Sequence, residues 1–287
     1  MPGKFLATIC FLISDCCAAQ TYDLEIKKAE AAYGRNQLDS CIMYFNHAFV
    51  LAPPKGNDLY NAAVCNTSKG YISVAFDLLR KGIITGINIP KLKIDPDLDV
   101  LHDKKEWKGL IKKANKIQKR EFRKTQYPNE ATQLAALWEK DQYWRFRLGK
   151  AYEKNDTVSA NAIWKKLKPT DSINLIRLQA IMDRIGWPTV SKVGKPGAST
   201  AFLIIDHSPR EIMEKYFPFL ETAAKNGDAS LASYATMKDR ILVNRGKKQI
   251  YGTQRYWDSK TNKFIYFPIE DEQNVNARRK EVGLEPL

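Results

Sequence analysis

The residues best suited to chemistry lie in the last third of the chain: His207, the pair Asp239-Arg240, the run Tyr251-Gly252-Thr253-Gln254, and Arg278. A neutral imidazole accepts or donates a proton near physiological pH, and no histidine other than His207 follows His102. His207 and Asp239 are therefore the candidate catalytic residues. Arginine offers a fork of donors matched to carboxylate or phosphate, which makes Arg240 and Arg278 candidates for holding an anionic group. Tyr251, Thr253 and Gln254 place donors and acceptors beside a strand glycine that lets a backbone or a ligand come close. Each feature also has a plain structural alternative: a helix-end histidine bonded to a carbonyl, an ion pair between helices, and a bulged edge strand.

Other chemistries lack their residues. Histidines only at 47, 102 and 207, with no cysteine beyond Cys65, argue against a zinc site. There is no phosphate loop, no dinucleotide fingerprint and no Gly-x-Ser-x-Gly elbow, so neither metal nor cofactor is expected.

The elements that position these residues follow from periodicity. Leu134, Leu137, Trp138 and Leu148 mark a helix that also carries Glu139, Asp141 and Arg145. Further helices are expected over 157–167 and 171–185, the second stopped by Gly186 with Pro188 beyond. The apolar stretch from Ser199 to Asp206 is helix or buried strand by length, and helix is favoured. Pro209 opens a helix carrying Ile212, Met213, Tyr216 and Leu220, and Ser230 caps another reaching Val243. Ile250 to Trp257 and Phe264 to Ile269 read as a β-hairpin, and Asn274 begins a last helix stopped by Gly283. Gly186-Trp187-Pro188, His207, Asp239-Arg240, Tyr251-Gly252-Thr253-Gln254, Pro268-Ile269 with Asp271, Arg278-Arg279 and Gly283-Leu284 resemble, in order and spacing, an uncharacterised bacterial domain family. The resemblance covers roughly the last half of the chain and implies a domain without implying a reaction.

Residues from Tyr22 to Ile87 read as four short helices, the second pair repeating the first at an offset of 34 residues. The offset takes Ala29 to Ala63, Cys41 to Ala75, Phe45 to Leu79 and Ala48 to Gly82. The segment resembles tetratricopeptide repeats, without that family's Trp and Leu-Gly dipeptide. Cys41 and Cys65 fall on apolar helix faces, where a free cysteine acts as a small hydrophobe, and that reading is preferred to a bridge. Asp95-Pro96-Asp97-Leu98 has helix-start composition. A capping box at Asp103 and Glu106 is then expected to open a helix with the apolar stripe Trp107, Leu110, Ile111, Ala114 and Ile117.

Of the net charge of +14, an excess of eight sits between Lys104 and Lys124, where ten Lys or Arg face two Glu. Without aromatics interleaved for base stacking, the segment reads as a solvated helix face and not as a nucleic-acid site. Peripheral contact with anionic envelope surfaces is a secondary expectation.

The chain opens with Lys4, an uncharged apolar run from Phe5 to Ile13 and the small-residue site Cys17-Ala18-Ala19, the order of a signal peptide. A lipid anchor is disfavoured, because Asp15 precedes Cys16 where a small residue is required. The expected protein is mostly α: residues 1–19 a signal peptide, 20–125 tetratricopeptide-like α-hairpin repeats with a basic capping helix, and 126–287 an α+β domain, mainly helical with a small β-hairpin. It is expected in the periplasm or secreted, holding a protein or peptide on its repeats and a polar or anionic ligand in its second domain. The alternative is an enzyme using His207 as general acid or base. Protein recovered from an expressing bacterium should have the intact mass of a chain beginning at Gln20; recovery at full-length mass from the cytosol is the opposite result.

Overall fold

The computed structural model describes residues 21–258, 260–261 and 263–287, so residues 1–19, read as a signal peptide, lie outside the described residues. The chain divides between Gln118 and Lys119 into two compact units. Among the described residues, no helix is long and apolar enough to cross a membrane.

Small residues decide how closely helices approach in the first unit. Helix α1 (residues 21–34) is followed by α2 (Leu38–Leu51), α3 (Gly56–Ser68) and α4 (Ile72–Thr85). The bounds of α2 recur in α4 after 34 residues, as the sequence offset predicts. Ala29, Ala48, Ala63 and Ala75 are fully buried where helices cross, and Phe45 and Leu79 fill the space between them. Gly56 is required by packing: a Cβ there would lie 3.0 Å from the carbonyl oxygen of Thr85, where α4 ends against the start of α3.

The segment beyond α4 is tied down by tyrosine–carboxylate bonds. Helix α5 (Ile89–Ile94) leads into a short 3-10 turn (Pro96–Leu98), α6 (Asp99–His102) and α7 (Lys105–Phe122). Asp95 Oδ1 accepts from Asp97 N–H and caps the turn, while Asp95 Oδ2 accepts from the buried Tyr60 hydroxyl. Burial, reinforced by the neighbouring Asp95 charge, pushes the Tyr60 hydroxyl well above its ordinary range, so it stays a donor. Asp103 caps the C-terminus of α6, and α7 begins two residues later; Asp103 thus ends one helix where a capping box would have it begin the next. Leu110 and Ala114 of the expected stripe are buried.

Cys41 on α2 and Cys65 on α3 form a disulfide, with Cα atoms 6.5 Å apart. This corrects the expectation of free thiols. The apolar faces carrying them are the faces on which the two helices meet, so the burial that suggested inert hydrophobes also brings the sulfurs together.

Among its described residues, the second unit is helical apart from one hairpin and an isolated bridge between Gln249 and Ile269. Helix α8 (Pro128–Glu153) packs along α9 (Thr157–Ile185). Then follow α10 (Val190–Asp206), α11 (Arg210–Lys225) and α12 (Leu231–Asn244). Strands β1 (Arg255–Asp258) and β2 (Lys263–Tyr266) pair antiparallel, with Arg255 opposite Tyr266 and Asp258 opposite Lys263. A 3-10 turn (Glu272–Asn274) precedes α13 (Val275–Glu281). Leu134, Leu178, Ile181, Ile205, Leu220 and Met237 form the main core.

Two helices expected over 157–167 and 171–185 are one helix of 29 residues with Pro169 inside it. Proline removes one backbone bond. Thr170 and Ser172 hydroxyls bond back to the carbonyls of Lys166 and Lys168. Packing on both sides of the proline, through Leu167 and Leu178, holds the helix continuous. The stretch from Ser199 to Asp206 is helical as favoured, although α10 starts earlier and is interrupted at Gly194.

The disulfide closes a loop over a sequence separation of 24, which in the chain-entropy account contributes about 3 kcal/mol. Replacing both Cys41 and Cys65 by Ser should lower denaturant stability of the full chain by roughly that amount. The oxidised protein should resist alkylation at these thiols until reduced; alkylation without reductant would show that no bridge forms.

Candidate functional site

The end of α10 sets the site. Asp206 is its last residue and His207 its C-cap, with His207 N–H donating to the Leu203 carbonyl at 3.0 Å. Both side chains line a cavity of about 500 Å³ within the second unit, together with Arg145 of α8, Asp171 of α9, Arg240 of α12 and Gln254. Leu148, Leu167, Met213 and Phe267 supply apolar wall. The wall is thus mixed, with Ser208 and Asn244 adding to its polar groups.

Beneath the cavity lies Asp141, only 1% exposed. His207 Nδ1 stands 3.1 Å from its Oδ2, Gln142 donates to that oxygen at 2.7 Å, and Arg145 Nη1 stands 3.4 Å from Oδ1. Burial would raise the Asp141 carboxyl; the bond and charge of His207, with Arg145, more than offset it and hold the group below the ordinary carboxylate range. An ionised carboxylate only accepts, so Nδ1 carries the proton in this bond and Nε2 remains for a ligand. Arg145 in turn donates from Nη2 to both oxygens of Asp171, at 2.9 and 3.0 Å.

Asp206 is the second buried acid, 5% exposed. Its Oδ2 pairs with Arg240 Nη1 at 3.0 Å, while Oδ1 is buried with no hydrogen-bond partner among the described residues. Burial raises this carboxyl above its ordinary value despite the charges of Arg240, His207 and Arg145. Arg240 also donates to the Asp206 carbonyl at 2.9 Å and to Gln254 Oε1 at 3.2 Å. Asp206 and His207 therefore place a carboxyl group and an imidazole on one wall, the two kinds of group that acid–base chemistry uses.

His207, Arg240 and Gln254 are thus brought together from the residues singled out in the sequence. Asp239, Tyr251, Thr253 and Arg278 are not. Asp239 has no exposed surface and its carboxylate accepts from the backbone N–H groups of Ile250, Tyr251 and Thr253 and from the Thr253 hydroxyl, at 2.7–3.1 Å. It fixes a loop. Residues 251–254 are that loop, preceding β1, and not part of the strand expected from Ile250 to Trp257. Gln249 pins its other side, donating to the Gln254 and Phe267 carbonyls and accepting from Gln254 N–H. Gly252 has φ 66°, and a Cβ there would lie 2.9 Å from a methyl of Leu287: what approaches the glycine is the chain's own side chain. Arg278 donates to the carbonyls of Ile250, Glu270 and Asp271 and to the Asp271 carboxylate. Arg279 clasps the Tyr251 and Gly252 carbonyls.

Sequence reasoning left Asp141, Arg145, Asp171 and Asp206 unassigned. The available signal was charge on a buried face: Asp141 follows Leu134 and Leu137 at helical spacing, and Arg145 comes four residues later.

The two buried aspartates respond oppositely to substitution. The folded state raises the Asp206 pKa, so its contribution favours folding below the unfolded carboxylate value and is lost as pH rises through the folded one. Asp206→Asn should therefore raise the melting temperature at pH 7, with the gain vanishing on acidification below the ordinary carboxylate range. Asp239→Ala strands four donors and should cost about 3 kcal/mol or more in a denaturant titration. A stabilised Asp239 variant would contradict its assignment as the loop's anchor.

A family model described as a family of unknown function (DUF6624) matches residues 128–287, more than half of the chain. No curated protein and no solved structure matches. The matched span runs from the first residue of α8 through Leu287 and contains every residue of the cavity. On that span, the chain belongs to the family of unknown function DUF6624.

Proposed function

We propose that the second unit is a ligand-binding domain that holds a small polar molecule in the His207 cavity. The observation that carries this reading is Asp206 Oδ1, a buried carboxyl oxygen without a partner on the wall of a 500 Å³ cavity. Leaving such a group unsatisfied costs about 1–3 kcal/mol, which a ligand hydroxyl, amide or amine would recover. The arginines argue for a neutral or donor-rich ligand over a strongly anionic one. Arg240 is taken up by Asp206 and Gln254, and Arg145 by Asp171 and Asp141, so neither presents uncompensated charge.

The first unit, in this proposal, is a tetratricopeptide-like module for a protein or peptide partner, supported by the recurrence of helix bounds at 34 residues. Export to the bacterial envelope is supported by the apolar N-terminal run and by the Cys41–Cys65 disulfide, a bond that persists outside reducing compartments.

A second reading, acid–base catalysis in the same cavity, rests on His207. Asp141 fixes the imidazole tautomer and orientation, and stabilises the imidazolium that would form on proton uptake, as a buried aspartate does in hydrolytic triads.

A thermal-shift screen of neutral polar metabolites and oligosaccharides on the full chain tests the binding reading. Hits should raise the melting temperature of the native protein and lose their effect in His207→Gln and Asp206→Asn. Hits that persist in both variants would place the ligand elsewhere. Conversion of a hit followed by NMR, present in the native protein and reduced about 100-fold or more in His207→Gln, selects catalysis; an unchanged ligand selects binding alone.

A further inference from the structure

Two cations without a counter-charge among the described residues lie elsewhere on the same helix pair. Lys140, Tyr143 and Trp144 on α8 face Ile173, Asn174 and Arg177 on α9 across a groove of about 300 Å³. With Thr170 included, the spacings are i, i+3, i+4 on α8 and i, i+3, i+4, i+7 on α9, so each set forms one stripe. No ion pair or hydrogen bond joins the side chain of Lys140 or Arg177 to another described residue.

Asn174, on the groove wall, is 1% exposed, and neither its Nδ2 nor its Oδ1 has a partner among the described residues. An orphaned buried amide is unusual, because donor and acceptor each carry a desolvation cost. Three features thus coincide: an unused donor–acceptor pair, two uncompensated cations and the apolar surface of Tyr143, Trp144 and half-exposed Ile173.

We propose that this groove binds the C-terminal end of a peptide. A primary amide matches one edge of an extended terminal residue: Oδ1 accepts from the N–H of its peptide group and Nδ2 donates to the carboxylate oxygen on the same edge. The free carboxylate next to that peptide group meets Lys140 and Arg177, and the terminal side chain lies on Tyr143, Trp144 and Ile173. A carboxylate alone would leave Asn174 Oδ1 unpartnered, and a neutral amide alone would leave the cations unused. A residue with a peptide N–H beside a free carboxylate satisfies all of them. The groove is separate from the His207 cavity, and the proposal does not rest on the reading given to that cavity.

The test uses the full chain, isothermal titration calorimetry and two probes, N-acetyl-alanyl-leucine and its C-terminal amide. The free acid should bind and the amide should bind at least about tenfold more weakly. Lys140→Gln and Arg177→Gln, both at exposed positions, should leave the melting temperature unchanged and weaken the free acid several-fold. Asn174→Leu replaces the orphaned amide by an apolar group of similar size, so it should fold at least as stably yet lose binding. His207→Gln should bind as the native protein does. No heat with the free acid at about 10 mM, equal affinity for acid and amide, or undiminished affinity in Asn174→Leu would each overturn the proposal.

Discussion

A carboxylate that cannot reach water must be surrounded by groups that favour its charge, and Asp141 imposes that requirement on three helices of the second unit. Its partners come from α8 itself through Gln142 and Arg145, and from the end of α10 through His207. Arg145 carries the constraint on to Asp171 of α9. Removing one member would leave an uncompensated charge in the interior, a larger penalty than the pairs contribute as stability. The network therefore fixes where α10 ends relative to the α8–α9 pair. That position sets where Asp206 and His207 open onto the cavity.

Asp239 shows the same physics used for a different end. It and Arg240 are adjacent on α12, and 100° of helical rotation sends the two side chains to different tasks. Asp239 turns inward and gathers backbone donors from residues 250–253, while Arg240 reaches Asp206 and Gln254 at the cavity. The loop that Asp239 fixes ends in Gln254, so the buried carboxylate positions a cavity residue without touching the cavity. Arg279 and Gln249 hold the same loop by its carbonyls and amides.

Much of the fold was legible because it depends on local pattern. The 34-residue offset fixes α2 and α4, Ser230 caps α12 through Ser233 N–H, and Gly186 stops α9 as the Gly-Pro spacing predicts. What was not legible depends on partners distant in sequence. Nothing near Pro169 says that packing of Leu167 and Leu178 will carry a helix through it. The motif Tyr251-Gly252-Thr253-Gln254 reads as ligand chemistry because Thr and Gln make poor core, yet Asp239 and Gln249 satisfy most of it from within the fold. His207 was identifiable by residue type, whereas its partner Asp141 lies 66 residues earlier, beyond any spacing rule.

Charge accounting separates the two concave surfaces that α8 and α9 share. At the His207 cavity Arg145 and Arg240 are matched against Asp141, Asp171 and Asp206, and what remains unsatisfied is one carboxyl oxygen of Asp206. Such a surface rewards hydrogen-bond donors and gives little to a net anion. At the Asn174 groove the balance is reversed, with Lys140 and Arg177 unmatched and an amide offering both a donor and an acceptor. Exposed cations attract an anion only weakly on their own, because water and salt screen them. The buried amide supplies the directional part of recognition and the cations its sign. The same two helices can therefore hold unlike ligands, because they differ in which of their charged groups the fold has already consumed.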